Sequence, residues 1–306
     1  MIGKDTHKSK AVNWEIEQSR KAGNKIVNLK GEAGIGKTRL LNEVLKKFSK
    51  TDKVFSGSGE ELQENYRFIR DIIEEEIALK GDMLDKDKRG KLFQYFNKRF
   101  KENKKILQRL PFISEMIFNI SIPGSIYEQT DSSLRFQNLC DVLGYYFESF
   151  LNMSNVILFI DDIHWLKPSE IELVKHLTGY LGRIRSKFKV TIILSSRDEF
   201  EINPKILNRS RFSVCNYTIK KLKEISTEKL IFTILNNKGL EAGVKQMIIN
   251  KTGGNPFFIE QYLLNLIENG FLKEKKDVWI SSKKFKEDDL PSNIWTAIMS
   301  LSLIHI

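Results

Sequence analysis

Along the first two thirds of the chain, short apolar runs alternate with segments in which the apolar residues have helical spacing. Five runs have the length and composition of strands: KIVNLK (25–30), VFS (54–56), NVILFIDD (155–162), KVTIILSSR (189–197) and SVCNYTI (213–219). Between them, apolar residues recur every three or four positions, as in helices. Uninterrupted apolar strands are typical of a parallel sheet with helices on both faces. The pattern predicts an α/β fold with a parallel five-stranded sheet, followed over 222–270 by helices only, an all-helical lid.

Roughly a hundred residues between the second and third strands have helical character. Leu92, Phe96 and Phe100 recur at four-residue spacing, which predicts an amphipathic helix. The segment 86–109 around them is strongly basic. A solvated charged face is the favoured interpretation, and contact with a partner or a nucleic acid is the alternative.

A glycine-rich pattern follows the first strand directly. GEAGIGKT matches GxxxxGK[ST] between a strand and an amphipathic helix, the context in which backbone N–H groups and a helix start surround phosphate oxygens. The predicted nucleotide-binding residues are Gly31, Glu32, Ala33, Gly34, Ile35, Gly36, Lys37 and Thr38. In this chemistry Lys37 bridges the β- and γ-phosphates, and the Thr38 hydroxyl ligates Mg²⁺. A plain glycine turn is the alternative.

Two carboxylates and an arginine follow the next long strands. Such a phosphate loop needs a second metal-holding group, and Asp161 is predicted to hold Mg²⁺ through water. Asp162 is predicted to orient or deprotonate the attacking water, and Arg197 to reach the γ-phosphate. Lys37, Asp162 and Arg197 are thus the catalytic candidates. The alternatives are a strand-end cap for each aspartate and a surface position for the arginine.

Composition narrows the possible classes of protein. The 306 residues suggest about two domains, and the formal net charge is +11. Because the lysines are interleaved with glutamates, a solvated surface is favoured over a nucleic-acid surface. The two cysteines, outside any CxxC pattern, exclude a disulfide framework and a zinc module. No apolar run approaches 18 residues, so we expect a cytoplasmic protein with no membrane partner.

Five segments in a fixed order resemble the AAA-type ATPase module of STAND signalling ATPases, an initiator-like module of large LuxR-type activators and of kinase- or cyclase-coupled proteins. They are GEAGIGKTRLLNEV, RFQNLCDVL, VILFIDDIHWLKPSEIELVKHL, IILSSRDE and KTGGNPFFIEQYLLNLIENGFL. The resemblance implies that Asp161, Asp162, His164 and Trp165 form its DD-x-HW motif and that Arg197 is a sensor. It also implies that Pro256 lies near adenine; helix punctuation alone is the alternative for GGNP. Lys167 departs from the family's usual acidic residue.

The resemblance implies an ATP-binding and slowly ATP-hydrolysing signal-transduction switch with ATP and Mg²⁺ as cofactors. Sensor and output domains are expected outside this chain, and self-association on ATP binding is possible in such a family. DNA binding by this chain is not expected. The alternative is a DNA-binding AAA+ initiator or loader, and a small-molecule P-loop kinase is disfavoured because DDIHW and GGNP have no function there.

The expected domain organisation has four parts. Residues 1–221 form the ATPase core with a helical insertion at about 60–152, and residues 222–272 form the lid. Residues 273–300 begin with a small hairpin and start a truncated winged-helix-like unit. The lid is expected to be loose, because Ile259, Leu263, Leu266 and Ile267 need a facing surface, part of which the absent remainder of that unit should provide. Residues 301–306, LSLIHI, match what the end of a common transposase sequencing adapter encodes and are expected to be non-native; a natural apolar helix end is the alternative.

Overall fold

The computed structural model describes residues 6–60, 65–79, 83–200 and 211–282. They form two compact units. The larger contains Val12–Leu29 and Glu43–Tyr217. The smaller contains the described parts of Met1–Ala11, Lys30–Asn42 and Thr218–Ile306. The predicted winged-helix start at 283–300 and the tail 301–306 lie outside the described residues, and the predicted domain boundaries stay predictions.

A five-stranded parallel sheet with the order β2-β3-β4-β1-β5 organises the fold. Its strands are β1 Lys25–Gly31, β2 Lys53–Ser58, β3 Val156–Asp161, β4 Val190–Ser196 and β5 Ser213–Ile219. Every residue of β3 and β4 is buried, as expected of central strands made of apolar residues, whereas the edge strands β2 and β5 are partly exposed. The predicted parallel five-stranded sheet is therefore confirmed.

Helices fill the connections between the strands. In the part of the chain before residue 201 that the structure describes, they are α1 Thr6–Ala22, α2 Lys37–Phe48, α3 Arg67–Ile77, α4 Asp85–Phe100, α5 Lys104–Phe118, α6 Ile126–Gln129, α7 Ser132–Leu151 and α8 Pro168–Leu181. None of the described helices is long and apolar enough to cross a membrane.

The helices between β2 and β3 share one apolar core with the sheet. Leu92, Phe96 and Phe100 of α4 are buried, which confirms the predicted amphipathic helix. Phe96 and Phe100 pack on the ring of Tyr146 in α7, with ring centroids 5.8 Å apart in both pairs. Such aromatic contacts add to the burial of large side chains, so this helical region is an integral part of the larger unit's core.

The first helix is fixed to the sheet by a buried carboxylate. Glu15 of α1 bonds to Lys25 of β1 and to Tyr217 of β5. Burial opposes ionisation of Glu15, but the hydrogen bonds from Lys25, Tyr217 and Cys215 outweigh it and hold the pKa of the carboxyl below its usual value. The ionised form is thus the one that the native structure stabilises.

The smaller unit contains a helical bundle and a small sheet. Its helices are α9 Glu224–Ile234, α10 Ala242–Thr252 and α11 Pro256–Glu268, and its strands are β6 Gly239–Leu240, β7 Leu272–Lys275 and β8 Val278–Ser281. β7 and β8 form the predicted hairpin. β6 pairs in parallel with β8 and adds a two-residue strand to a segment expected to be helical throughout.

The lid has its own apolar core. Ile259, Leu263 and Leu266 of α11 are fully buried against side chains of α9 and α10 and against Leu272 of β7. The partly buried Ile267 packs on the same cluster. The described helices and the hairpin thus provide cover for these positions, and the expectation that a further segment adds to it stays a prediction.

Candidate nucleotide-binding site

The glycine-rich loop connects β1 to α2 with two residues in the left-handed region. The loop begins where β1 ends at Gly31, and α2 begins at Lys37. Gly34 has φ +70° and Gly36 has φ +91°, values that residues with a side chain rarely adopt. Alternation between right- and left-handed residues turns successive N–H groups to one side, which makes an anion-binding concavity. The glycines are therefore required by the loop's conformation.

Lys37 and Thr38 start the helix that follows the loop. Lys37 is buried, and its ammonium group donates hydrogen bonds to the carbonyl oxygens of Gly31 at 2.9 Å and Glu32 at 3.1 Å. Thr38 is exposed in the first turn of α2. The positive end of the helix, a lysine ammonium and a hydroxyl thus come together at one chain segment, a set suited to phosphate oxygens and a hard cation.

The start of α11 contacts the same loop. Asn255, which is 1% exposed, donates from Nδ2 to the carbonyl oxygen of Ala33 at 2.9 Å. Its Oδ1 accepts from the N–H of Phe257 at 3.1 Å, which makes Asn255 the N-cap of α11. The N–H of Phe257 also lies 3.3 Å from the carbonyl oxygen of Gly34. One helix end therefore bonds two successive carbonyls of the loop.

Pro256 occupies the first position of α11, and Gly253 caps α10 with φ +55°. The GGNP segment therefore ends one helix and starts the next. The predicted approach of Pro256 to adenine stays a prediction.

A surface ion pair between Glu32 and Lys221, 3.1 Å apart, also joins the loop to the segment leading into the lid.

The acidic pair lies at the end of β3 in the larger unit. Asp161 is buried, and its carboxylate bonds to the hydroxyl of Ser195, a fully buried residue of β4. The N–H of Asp162 donates to the same hydroxyl at 2.9 Å and to Asp161 Oδ1 at 3.1 Å. Asp162 has φ +47°, a conformation that costs an aspartate about 1 kcal/mol and that these hydrogen bonds stabilise. Ser195 therefore fixes both aspartates.

The side chains after the acidic pair pack on one another. His164 Nδ1 lies 3.9 Å from Asp162 Oδ1, and the ring centroids of His164 and Trp165 are 5.1 Å apart. The guanidinium of Arg197 lies over the Trp165 ring, 5.0 Å from its centroid. Asp162, His164, Trp165 and Arg197 thus form one cluster in the larger unit. The sensor function of Arg197 stays a prediction.

Two functional positions escaped sequence analysis. Ser195 was seen only as the end of a strand, although a hydroxyl at the carboxyl end of a parallel strand is a signal for a polar contact with its neighbour. Asn255 enters the sequence analysis only as part of GGNP, and its contact with Ala33 joins residues that are 222 positions apart. The pattern of a single sequence carries no signal for that contact.

The sheet order and the loop define a class of protein. β1 leads into the GxxxxGK[ST] loop, and β3, which ends in Asp161, is separated from β1 by β4. A phosphate-binding loop between a parallel strand and a helix is the hallmark of a P-loop NTPase. Residues 12–193 match the family described as the AAA ATPase domain, more than half of the chain. The chain belongs to the AAA ATPase domain family.

Solved structures with similar folds support this assignment at the level of the fold. The Aeropyrum pernix Orc1 protein in complex with DNA is similar over 98% of this chain and 66% of that chain, with 10% identity and a TM-score of 0.52. Cdc6p from Pyrobaculum aerophilum is similar over 88% of this chain and 64% of that chain, with 14% identity and a TM-score of 0.50.

A Pyrococcus horikoshii STAND protein with a tetratricopeptide repeat sensor is similar over 94% of this chain and 32% of that chain, with 15% identity and a TM-score of 0.42. This chain therefore spans 66% or less of the length of each of these structures. No curated protein sequence matches the chain.

Proposed function

We propose that the chain is an ATP-binding, slowly hydrolysing switch module of a larger signalling or transcriptional regulator. The observation that carries the proposal is the pair of hydrogen bonds from the start of α11 to the Ala33 and Gly34 carbonyls. A loop that binds phosphate and also bonds to a lid helix gives the nucleotide a direct way to bias the lid. In a switch, the nucleotide must bind more tightly to one conformation of the protein than to the other.

The residues of the loop and of β3 fit MgATP by their chemistry. The loop N–H groups and the Lys37 ammonium bind the β- and γ-phosphates, and the Thr38 hydroxyl is an oxygen ligand for Mg²⁺. Asp161 supplies a carboxylate that Ser195 holds in place. Mg²⁺ prefers such oxygen ligands and, when bound, neutralises charge that develops on the phosphates. The family's nucleotide chemistry supports the same assignment.

Slow hydrolysis is assigned to residues around the acidic pair. Asp162 orients the attacking water, and its side chain is 38% exposed. Arg197 is the candidate sensor of the γ-phosphate. Positioning and electrostatic stabilisation supply most of the rate enhancement in phosphoryl transfer. Asp162 and Arg197 can therefore contribute to hydrolysis by their placement alone.

The proposal predicts that Lys37→Ala abolishes measurable binding of MgATP, because the phosphates lose their principal cationic partner. Lys47→Ala, which removes the same charge from an exposed position in the last turn of the same helix, is the matched control and retains wild-type affinity. Titration calorimetry with MgATP measures both. Near-normal affinity of Lys37→Ala would refute the assignment of the loop.

A DNA-binding AAA+ initiator or loader is the second candidate. The exposed lysines and arginines of α4 and of the start of α5 favour it, and the Orc1 structure of similar fold is a complex with DNA. Binding to a DNA duplex that weakens steeply as salt rises would support this candidate. Lack of DNA binding at low salt would leave the signalling switch as the function.

A further inference from the structure

The orientation of two peptide groups in the phosphate loop is set by the first residues of α11. A trans peptide group points its C=O and the following N–H in opposite directions. Because the Ala33 carbonyl faces Asn255, the N–H of Gly34 points away from the lid helix. Because the Gly34 carbonyl faces the N–H of Phe257, the N–H of Ile35 also points away from it, and this group lies 3.4 Å from the Glu32 carbonyl oxygen inside the loop.

The contact is close enough to transmit a change of conformation. A Cβ atom on Gly34 would lie 2.6 Å from Cβ of Phe257, so the side chain of Phe257 occupies the space beside this glycine. A rotation of either peptide group of the loop would break a hydrogen bond to the helix. Asn255 is 1% exposed, so its amide makes this hydrogen bond from a buried position.

We propose that Asn255 is a positioning residue of the nucleotide site: its amide orients the Ala33–Gly34 peptide group for phosphate binding and thereby couples the phosphate to α11. This inference rests on the proposed function, since it assigns a role to a residue next to the proposed phosphate loop. Asn255 acts through the loop backbone. The ligand chemistry that it serves is a polyphosphate, whatever base is attached.

Substitutions that keep the helix cap separate this role from a structural one. Asn255→Asp and Asn255→Ser retain a side-chain oxygen for the N–H of Phe257, but both lack the amide donor to Ala33. Asn103, the N-cap of α5, accepts from the N–H of Ile106 at 3.3 Å, which makes Asn103→Asp and Asn103→Ser matched controls. The probes are MgATP and magnesium tripolyphosphate, measured by calorimetry on the full chain.

The expected result is that Asn255→Ser binds both probes about tenfold more weakly than the wild type, as when a partly buried carbonyl loses its hydrogen bond. Asn255→Asp binds them more weakly still, because its charge adds to the loss. Both Asn103 variants bind with wild-type affinity. Thermal unfolding without ligand identifies the folded variants. The uncharged Asn255→Ser decides the test, because the carboxylate of Asn255→Asp also repels the polyphosphate.

Wild-type affinity in a folded Asn255 variant would overturn the inference and leave the proposed function intact. Equal losses in the Asn103 and Asn255 variants would also overturn it, because the effect would then follow any weakened helix cap. Failure of Asn255→Ser to fold would overturn it too, since the residue would then be structural. If the wild type binds neither MgATP nor magnesium tripolyphosphate, the proposed function and this inference are both overturned.

Discussion

At Gly34 two independent constraints exclude any side chain. The residue has φ +70°, where a side chain strains the backbone, and the space that a Cβ would need is occupied by Phe257. The sequence motif explains the first constraint, since a glycine in a phosphate loop turns the chain. The second arises only when α11 folds against the loop, which no local pattern reveals.

The same contrast holds at the end of β3. Asp161 and Asp162 stand out in the sequence because two charges end an apolar run. The sequence does not show that their environments differ. Asp161 is buried, and its carboxylate bonds to Ser195. The side chain of Asp162 is 38% exposed, and its backbone N–H bonds to the Ser195 hydroxyl. The two adjacent carboxylates therefore lie in different environments, and the different functions assigned to them stay predictions.

Isosteric substitutions should separate these two functions. We expect Asp161→Asn to weaken Mg²⁺-dependent ATP binding roughly tenfold or more, because the cation loses a carboxylate. We expect Asp162→Asn to keep ATP bound and to slow its cleavage about a hundredfold, because the amide is a poor base. Magnesium titrations of ATP affinity and single-turnover hydrolysis measure the two effects. Equal effects on binding would show that the roles are divided wrongly.

At the scale of elements, helix α1 depends on the carboxylate of Glu15. Its bonds to Lys25 and Tyr217 join the helix to two strands of the sheet. Glu15→Gln leaves the buried Lys25 without its anionic partner, and we expect a loss of about 3 kcal/mol in the free energy of unfolding at pH 7. Glu17→Gln, an exposed change in the same helix, is the control and should leave stability unchanged.

The pKa of Glu15 sets the sign of the pH dependence. Because the folded-state pKa lies below the ordinary value of 4.5, the stabilisation is complete above that value and is lost as pH falls through the folded-state pKa. The difference in stability between wild type and Glu15→Gln should therefore shrink below about pH 4.5. Urea unfolding at several pH values measures it. A difference that stays constant down to pH 3 would contradict the ionised, hydrogen-bonded Glu15.

The sequence predicted elements well where the signal is local. The strands of the sheet, the amphipathic α4 and the β7–β8 hairpin each follow from a run of a few residues. The two-residue strand β6 carries no such signal, since its pairing with β8 joins Gly239 to Val278. The side chains that cover Ile259 and Leu263 also carry no such signal. Helical spacing shows that a helix has an apolar face, but it does not show what packs on that face.

At the scale of the whole molecule, the smaller unit contains both the phosphate loop and the lid. Residues 30–42 are far in sequence from residues 218–282, yet they belong to one compact unit. Bound nucleotide stabilises the states to which it binds, and contacts shared by loop and lid extend that stabilisation to the lid. The family assignment supports nucleotide binding, whereas this arrangement is the reason for proposing a switch.

The most direct test of the switch is hydrogen exchange of the lid amides with and without a non-hydrolysable ATP analogue and Mg²⁺. Calorimetry first establishes that the analogue saturates the chain. The account predicts slower exchange in α11, Pro256–Glu268, in the saturated protein, because the phosphate loop and the start of α11 share hydrogen bonds. Unchanged exchange in α11 with the analogue bound would contradict the coupling of nucleotide to lid.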